Sequence, residues 1–372
     1  MHRDLFPITR NLVYLNHAAV GPLSVRACEA MERHARDQRD FGALHWRDWY
    51  AEYDRLREAA ARLIGAADPR EIAILKNTSE GLSFVAEGLE WAEGDNVVTT
   101  ALEFPSNWTP WKRLEQRGVE VRVVRDVTAE AIEGQIDDRT RVVTISSVAF
   151  HNGVTADLEA IGTLCARRRV LFCVDAIQSL GMLPIDVRRA NIAFLAADGH
   201  KWLCGPEGAA LFYVAAEHRE KLRPVEMGWT NIDRHGKFLA TGVELLPDAR
   251  RFEAGSLNTN GIYGLRAAIE LLLEIGIETI AAEALRVANL LADGLEELGL
   301  KPGATRPLHS AIVGATPPVV DGRELMRLHG GLEKEGVVCA PREGLLRFSP
   351  HFYNDENDVG RALDALRTLT NR

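Results

Sequence analysis

Three short stretches of the chain carry side chains whose chemistry is more specific than their surroundings. In ADGHKWLCGPEG, residues 197 to 208, Lys201 follows the apolar run NIAFLA, where an ammonium finds little water. In VDAIQ, Asp175 closes another apolar run and Gln178 follows one helical turn later. In KNTSEG, Thr78 and Ser79 stand between the run EIAILK and an amphipathic helical pattern. Singly, each has an ordinary explanation: a lysine snorkelling to solvent, an aspartate capping the next helix, a hydroxyl pair doing the same. Together they specify one ligand. An amine in a dry pocket has a lowered pKa and forms a Schiff base with an aldehyde. A carboxylate keeps a pyridine nitrogen protonated, so that the ring absorbs electrons released at a substrate Cα. Hydroxyls and free N–H groups at a helix N-terminus hold a phosphate. Pyridoxal 5'-phosphate (PLP) needs this set.

For these residues to meet, the elements that carry them must share an edge. Between about residues 70 and 215 the apolar runs EIAILK, NVVTTA, VEVRVV, RVVTISSV, VLFCVDA, NIAFLAA and GAALFYV alternate with helical patterns. That alternation predicts a mostly parallel seven-stranded sheet covered on both faces, with its ligand at the carboxyl ends of the strands. After about residue 260, long helical patterns with the short strands AIVGA and GVVCA predict a smaller C-terminal α/β domain. The division expected is an N-terminal segment 1–30 packing on the active site, a large domain 31–258 and a small domain 259–372.

Composition narrows the partners. A net charge of −9, with 46% hydrophobic and 26% charged residues, offers no general attraction to nucleic acid or anionic membrane, and points to a small-molecule partner. The five cysteines form no CxxC pair, which predicts reduced thiols in the cytoplasm and no metal site. No export signal or membrane span is visible.

The run VDAIQSLGMLPIDVRRANIAFLAADGHKWLCGPEGAALFYV, with NTSEGL, RFEAGSLNTNGIYGL and LLRFSPHFYN, closely resembles the class V aminotransferase family of fold-type I PLP enzymes. That family includes cysteine desulfurases, isopenicillin N epimerase and kynureninase. The resemblance implies that Lys201 is the catalytic lysine bound to the cofactor, with Asp198 and His200 beside it. It places Asp175 at the pyridine nitrogen, Gln178 at the phenolic oxygen, Thr78 and Ser79 at the phosphate, and Phe104 over the ring. Ser256 matches a phosphate contact supplied by a neighbouring subunit, with Trp229 near it, so a homodimer with shared active sites is implied. Arg347 matches the arginine that grips the carboxylate of a small amino-acid substrate.

Two departures bear on the reaction. Desulfurases carry a sulfur-accepting cysteine on a mobile loop before the arginine, yet only the seven residues Ala340 to Leu346 separate Cys339 from Arg347. Cys339 itself reads as a buried strand residue. Phe104 stands where desulfurases usually place a histidine, and it stacks without transferring a proton. His17 and His151 are the candidates for a second acid or base near the substrate, each with a structural reading beside it. The aromatic run HWRDWY, residues 45 to 50, reads as helix packing or a pocket wall, and Cys204 as packing beside the GPEG turn. The expected activity is transamination or β-elimination of C–S lyase type through Lys201. An epimerase, a desulfurase lacking the usual loop and a non-catalytic PLP-binding regulator are the alternatives.

Overall fold

The computed structural model describes residues 2–233, 239, 242–317 and 321–370. Its centre is a seven-stranded sheet: β1 Ile72–Leu75, β2 Asn96–Thr100, β3 Glu120–Val124, β4 Thr140–Ser146, β5 Leu171–Asp175, β6 Phe194–Asp198 and β7 Ala210–Val214. The spatial order is β1-β7-β6-β5-β4-β2-β3, and only β7 runs antiparallel to its neighbours. All seven apolar runs therefore form strands. β6 and β7 are buried along their whole length, as continuous apolar runs covered on both faces require, whereas β3 at the edge keeps Glu120 and Val123 exposed. Because β1, β2, β4, β5 and β6 point the same way, their carboxyl ends share one edge.

Helix α1 Val25–Phe41 is capped by Ser24, whose hydroxyl accepts from Ala27 N–H, and α2 is Trp46–Ile64. Both pack on α5, Thr259–Ile275. The long helical patterns expected in the small domain divide here. Ile262, Leu265, Ile269 and Leu272 of α5 join the core of the large sheet, and α6 Ile277–Glu297 carries the chain away from it. Helix α3, Thr78–Gly88, follows β1, and α4, Leu158–Arg168, follows β4. Gly81 lets α3 lie close on the sheet, since a Cβ there would sit 2.9 Å from Ala196 Cβ.

The second unit has its own core, including Val287, Leu291, Leu328, Leu346, Phe348 and Leu366. Its antiparallel sheet places β8 Val313–Thr316 between the pair Lys301–Pro302 and β10 Leu345–Phe348, with β9 Ala340–Arg342 outside β10. Helices α7 Gly322–Lys334 and α8 Glu356–Thr370 cover it. The run GVVCA is split: Val337–Val338 pairs in parallel with Val13–Tyr14, and the chain enters β9 only after Cys339. The N-terminal segment is thus stitched to the second unit, with a further bridge from Asn16 to Ser349. No helix of the described residues is long and apolar enough to cross a membrane.

Candidate active site

Lys201 stands in the turn after β6, fixed from two sides. Behind it, Cys204 N–H donates to Lys201 O at 3.1 Å and Gly205 N–H to Gly199 O at 2.9 Å, closing the turn 199–205 that leads into GPEG. Cys204 is buried here in a left-handed conformation, and burial pushes its thiol up to about 12, as a packing role requires. In front, Gly21 N–H donates to His200 O at 2.6 Å. A Cβ on Gly21 would lie 2.2 Å from Lys201 O, so only glycine allows the N-terminal segment to cross there. The lysine is 9% exposed, and its ammonium faces the Phe104 ring, 5.6 Å from the centroid. Desolvation pushes its pKa down; Asp175 opposes this and Arg347 adds to it.

Asp175 ends β5 one strand away. Burial pushes its carboxyl well above the usual range, although Ile177 N–H donates to Oδ1 at 3.0 Å. Asp198 Oδ1 and His200 Nδ1 are 3.1 Å apart without hydrogen-bond geometry, so neither atom has a hydrogen-bond partner among the described residues. Thr78 occupies the first turn of α3, where Asn77 accepts from Glu80 N–H; Thr78 Oγ1 is buried and also without a partner. Ser79 is exposed and donates to Ser106 Oγ at 2.7 Å. Gln178 is already engaged: Oε1 accepts from Trp202 Nε1 at 2.9 Å, and Nε2 donates to Ala18 O at 3.0 Å. An amide nitrogen has two hydrogens, so one N–H remains for another acceptor.

A strand-end residue to which the sequence assigned no role holds the next wall. Half-buried Glu103 accepts from Ser146 N–H and Oγ, from Thr100 Oγ1 and from Asn107 Nδ2, at 2.6 to 3.0 Å. These bonds fix the loop that presents Phe104, which packs edge-on against Phe150 at 5.2 Å. The sequence signal was the carboxylate immediately before Phe104 in LEFPSN. Arg347, on β10, is 1% exposed; its Nη1 donates to Phe150 O at 2.7 Å, and Nη2 lies 3.5 Å from Asn16 Oδ1. Its Nε has no partner, and burial and the charge of Arg342 both work against its ionised form. His151 packs edge-on against Phe150 with its Nδ1 unpartnered among the described residues, and burial lowers its pKa.

One expectation changes. His17 is fully buried, with Nδ1 bonded to Ser349 O at 2.8 Å and Nε2 to Tyr353 OH at 2.6 Å, so neither nitrogen is available to a substrate. A carbonyl only accepts, so Nδ1 carries a proton, and burial pushes the ring's pKa well below its ordinary value. Trp229 and Ser256 lie away from Lys201, in a groove of about 770 Å³ lined also by Trp46, Trp49 and Tyr50. The HWRDWY run therefore walls this outer groove, with Trp46 and Tyr50 exposed. The seven residues after Cys339 form the tight hairpin of β9 and β10, turning at Glu343 and Gly344, both at positive φ. Cys339 is buried ahead of it and its thiol is pushed up to about 12.

The Aminotransferase class-V family model matches residues 13–361. This chain belongs to the class V aminotransferase family. The class V aminotransferase is 30% identical to a probable cysteine desulfurase of Methanothermobacter thermautotrophicus, over 96% of this chain and 94% of the relative. It is 31% identical to the uncharacterized aminotransferase YcbU of Bacillus subtilis, over 99% and 97%. Among solved structures, it superposes on the cystine C-S lyase C-DES in complex with its product cysteine persulfide, with a TM-score of 0.91, 25% identity and coverage of 97% and 98%. As a class V aminotransferase it is a PLP-dependent enzyme. The chain's own residues fit that cofactor: a dry amine, a buried carboxyl and orphaned polar atoms at Thr78, Asp198 and His200 gather at one sheet edge.

Proposed function

We propose that this enzyme removes a sulfur-linked β-substituent from a small amino acid such as cysteine or cystine, working as a homodimer in the cytoplasm. Lys201 would hold the cofactor, with Asp175 at the pyridine nitrogen, Thr78, Ser79 and Ser256 of a second copy at the phosphate, Gln178, Asp198 and His200 around the ring, and Phe104 stacked on it. Bound there, PLP supplies an electron sink for the pair left when a bond to the substrate Cα breaks. Arg347 takes the α-carboxylate through its outward N–H groups and so sets which Cα bond faces Lys201. The neutral amine of Lys201, favoured by burial, takes the Cα proton. The β-carbon to sulfur bond then breaks, with the sulfur keeping the bonding pair and a proton. Overall, cysteine and water give pyruvate, ammonia and sulfide, while cystine and water give pyruvate, ammonia and cysteine persulfide.

The observation carrying this reading is the β9–β10 hairpin. It replaces the loop on which a desulfurase bears its sulfur-accepting cysteine, so the sulfur leaves with the product. Phe104 offers no second proton donor. The aromatic groove around Ser256 supports the dimer: exposed Trp46, Tyr50 and Trp229 form an apolar surface beside a residue that would serve the neighbouring site. Five free thiols support a reducing compartment.

The test combines purified protein with cysteine, cystine and a panel of other amino acids, following visible absorption and products. Pyruvate with ammonia and a sulfur product is expected. Accumulation of pyridoxamine phosphate with an oxo acid would replace elimination by transamination, the reaction class in the name of the Bacillus subtilis relative. A colourless protein into which borohydride fixes no cofactor at Lys201 would sink both.

A further inference from the structure

Buried arginines in this fold have acid partners, with one exception. Arg57 pairs with Glu253 at 2.7 Å and Arg251 with Glu220 at 2.8 Å. Arg347, as deeply buried, pairs with no carboxylate among the described residues, and its Nε is without any partner. A substrate α-carboxylate accounts for that single vacancy, but a second guanidinium stands beside it. In the β9–β10 hairpin Ala340 is opposite Arg347 and Arg342 is opposite Leu345. Side chains two apart on a strand share a face, so Arg342 is the diagonal neighbour of Arg347 on the same side of the sheet, about 7–8 Å away.

Arg342 is half-buried, and its one hydrogen bond runs from Nη1 to the carbonyl of adjacent Pro341 at 2.8 Å. It too makes no ion pair among the described residues. Its charge reaches the site, since it disfavours the protonated forms of both Lys201 and Arg347. The acids felt at Lys201, Asp175 and Asp198, lie at the carboxyl ends of β5 and β6. Glu343, the acid nearest in sequence to Arg342, is exposed at the hairpin tip, where it acts on His151. Two like charges held together without a counter-ion are unfavourable until anions arrive, and one carboxylate answers only one of them.

We propose, resting on the cofactor-dependent reading above, that Arg342 selects substrates whose side chain carries a second acidic group. Two kinds of amino acid present that chemistry: one with a short acidic side chain, and one joined through a disulfide to a further carboxylate. Arg342 is then a specificity residue, acting on the part of the substrate that lies beyond the reacting atoms.

Non-reacting acids test this without turnover. The holoenzyme is titrated calorimetrically with succinate and butyrate as a short pair, and with suberate and octanoate as a long pair. At least one diacid is expected to bind about tenfold or more tighter than its monoacid, the gain of one charge-assisted contact. A preference in the short pair points to an acidic side chain, and one in the long pair to the disulfide-linked class. In Arg342→Gln the ratio should fall to about one, and Arg342→Lys should recover part of it. A ratio near one in the parent protein, an unchanged ratio in Arg342→Gln, or no binding of any of these acids would overturn the proposal. The visible cofactor band, recorded on the same samples, reports separately on the earlier reading; its absence tells against that reading, and the acids are titrated in either case.

Discussion

Lys201 and Trp202 are neighbours in sequence, yet they stand at the head of two buried polar regions of opposite kind. Around Lys201, polar atoms are withdrawn from water and left without partners: Thr78 Oγ1, Asp198 Oδ1, His200 Nδ1 and Arg347 Nε. Around Trp202, burial is just as deep but each group is answered. Its indole N–H donates to Gln178, and its carbonyl accepts from His351 Nε2 at 3.0 Å. His351 Nδ1 accepts from Phe352 N–H at 2.9 Å, and His17 is held between Ser349 and Tyr353. Burial and polarity are common to both regions; satisfaction is what separates them. A satisfied buried network makes one structure unique, while an unsatisfied one waits for a ligand.

Substitutions can break that contrast. The largest effect is expected on the unsatisfied side: Lys201→Ala should lower turnover about 10²–10⁴-fold by removing the general base. Because no described residue hydrogen-bonds the buried amine of Lys201, the melting temperature of the cofactor-free protein should not fall. A large drop in melting temperature would mean that the lysine is structural.

The satisfied side should respond to acid. Burial lowers His351 to about 4 from an ordinary value of 6.5, and lowers His17 in the same direction. The unfolded chain takes up protons near pH 6.5 and the native one only near 4, so stability is full above 6.5 and is lost as pH falls through that window. For His351 alone the loss is about 3 kcal/mol. Denaturant unfolding at pH 7 and pH 4.5 measures it, and His351→Gln should flatten the dependence. An unchanged slope in the variant would assign the acid sensitivity to other groups.

The smallest effect sharpens the boundary between the regions. Tyr353→Phe deprives His17 Nε2 of its donor and should cost about 1–3 kcal/mol of stability. Cofactor absorption and turnover at saturating substrate should stay near those of the parent. A selective loss of turnover would draw His17 back into the reaction.

The sequence made one region legible and hid the other. Thr78, Asp175 and Lys201 could be placed because each closes or follows within a few residues a continuous apolar run, so its position at the sheet edge follows from local pattern alone. Arg347 was reached only through family resemblance, since its neighbours Phe150 and Asn16 are about 200 and 330 residues away. His17 was misplaced for the same reason: the two groups that satisfy its ring are Ser349 and Tyr353. Periodicity reports which face of an element is buried, but not which distant hydroxyl or carbonyl will meet it. Glu103 lay between these cases, visible as a polar strand-end residue but not as the anchor of Phe104.

The crossing of Gly21 over Lys201 also imposes an order in time. Residues 13 to 16 are made long before their partners Val337, Val338 and Ser349. Contacts of such long sequence separation form late because loop closure must precede them. A chain still emerging from the ribosome can complete its large sheet and place its lysine, but it cannot seal the turn that holds it. The reactive amine is therefore finished only when these two distant segments have met, which ties competence to synthesis of the second unit.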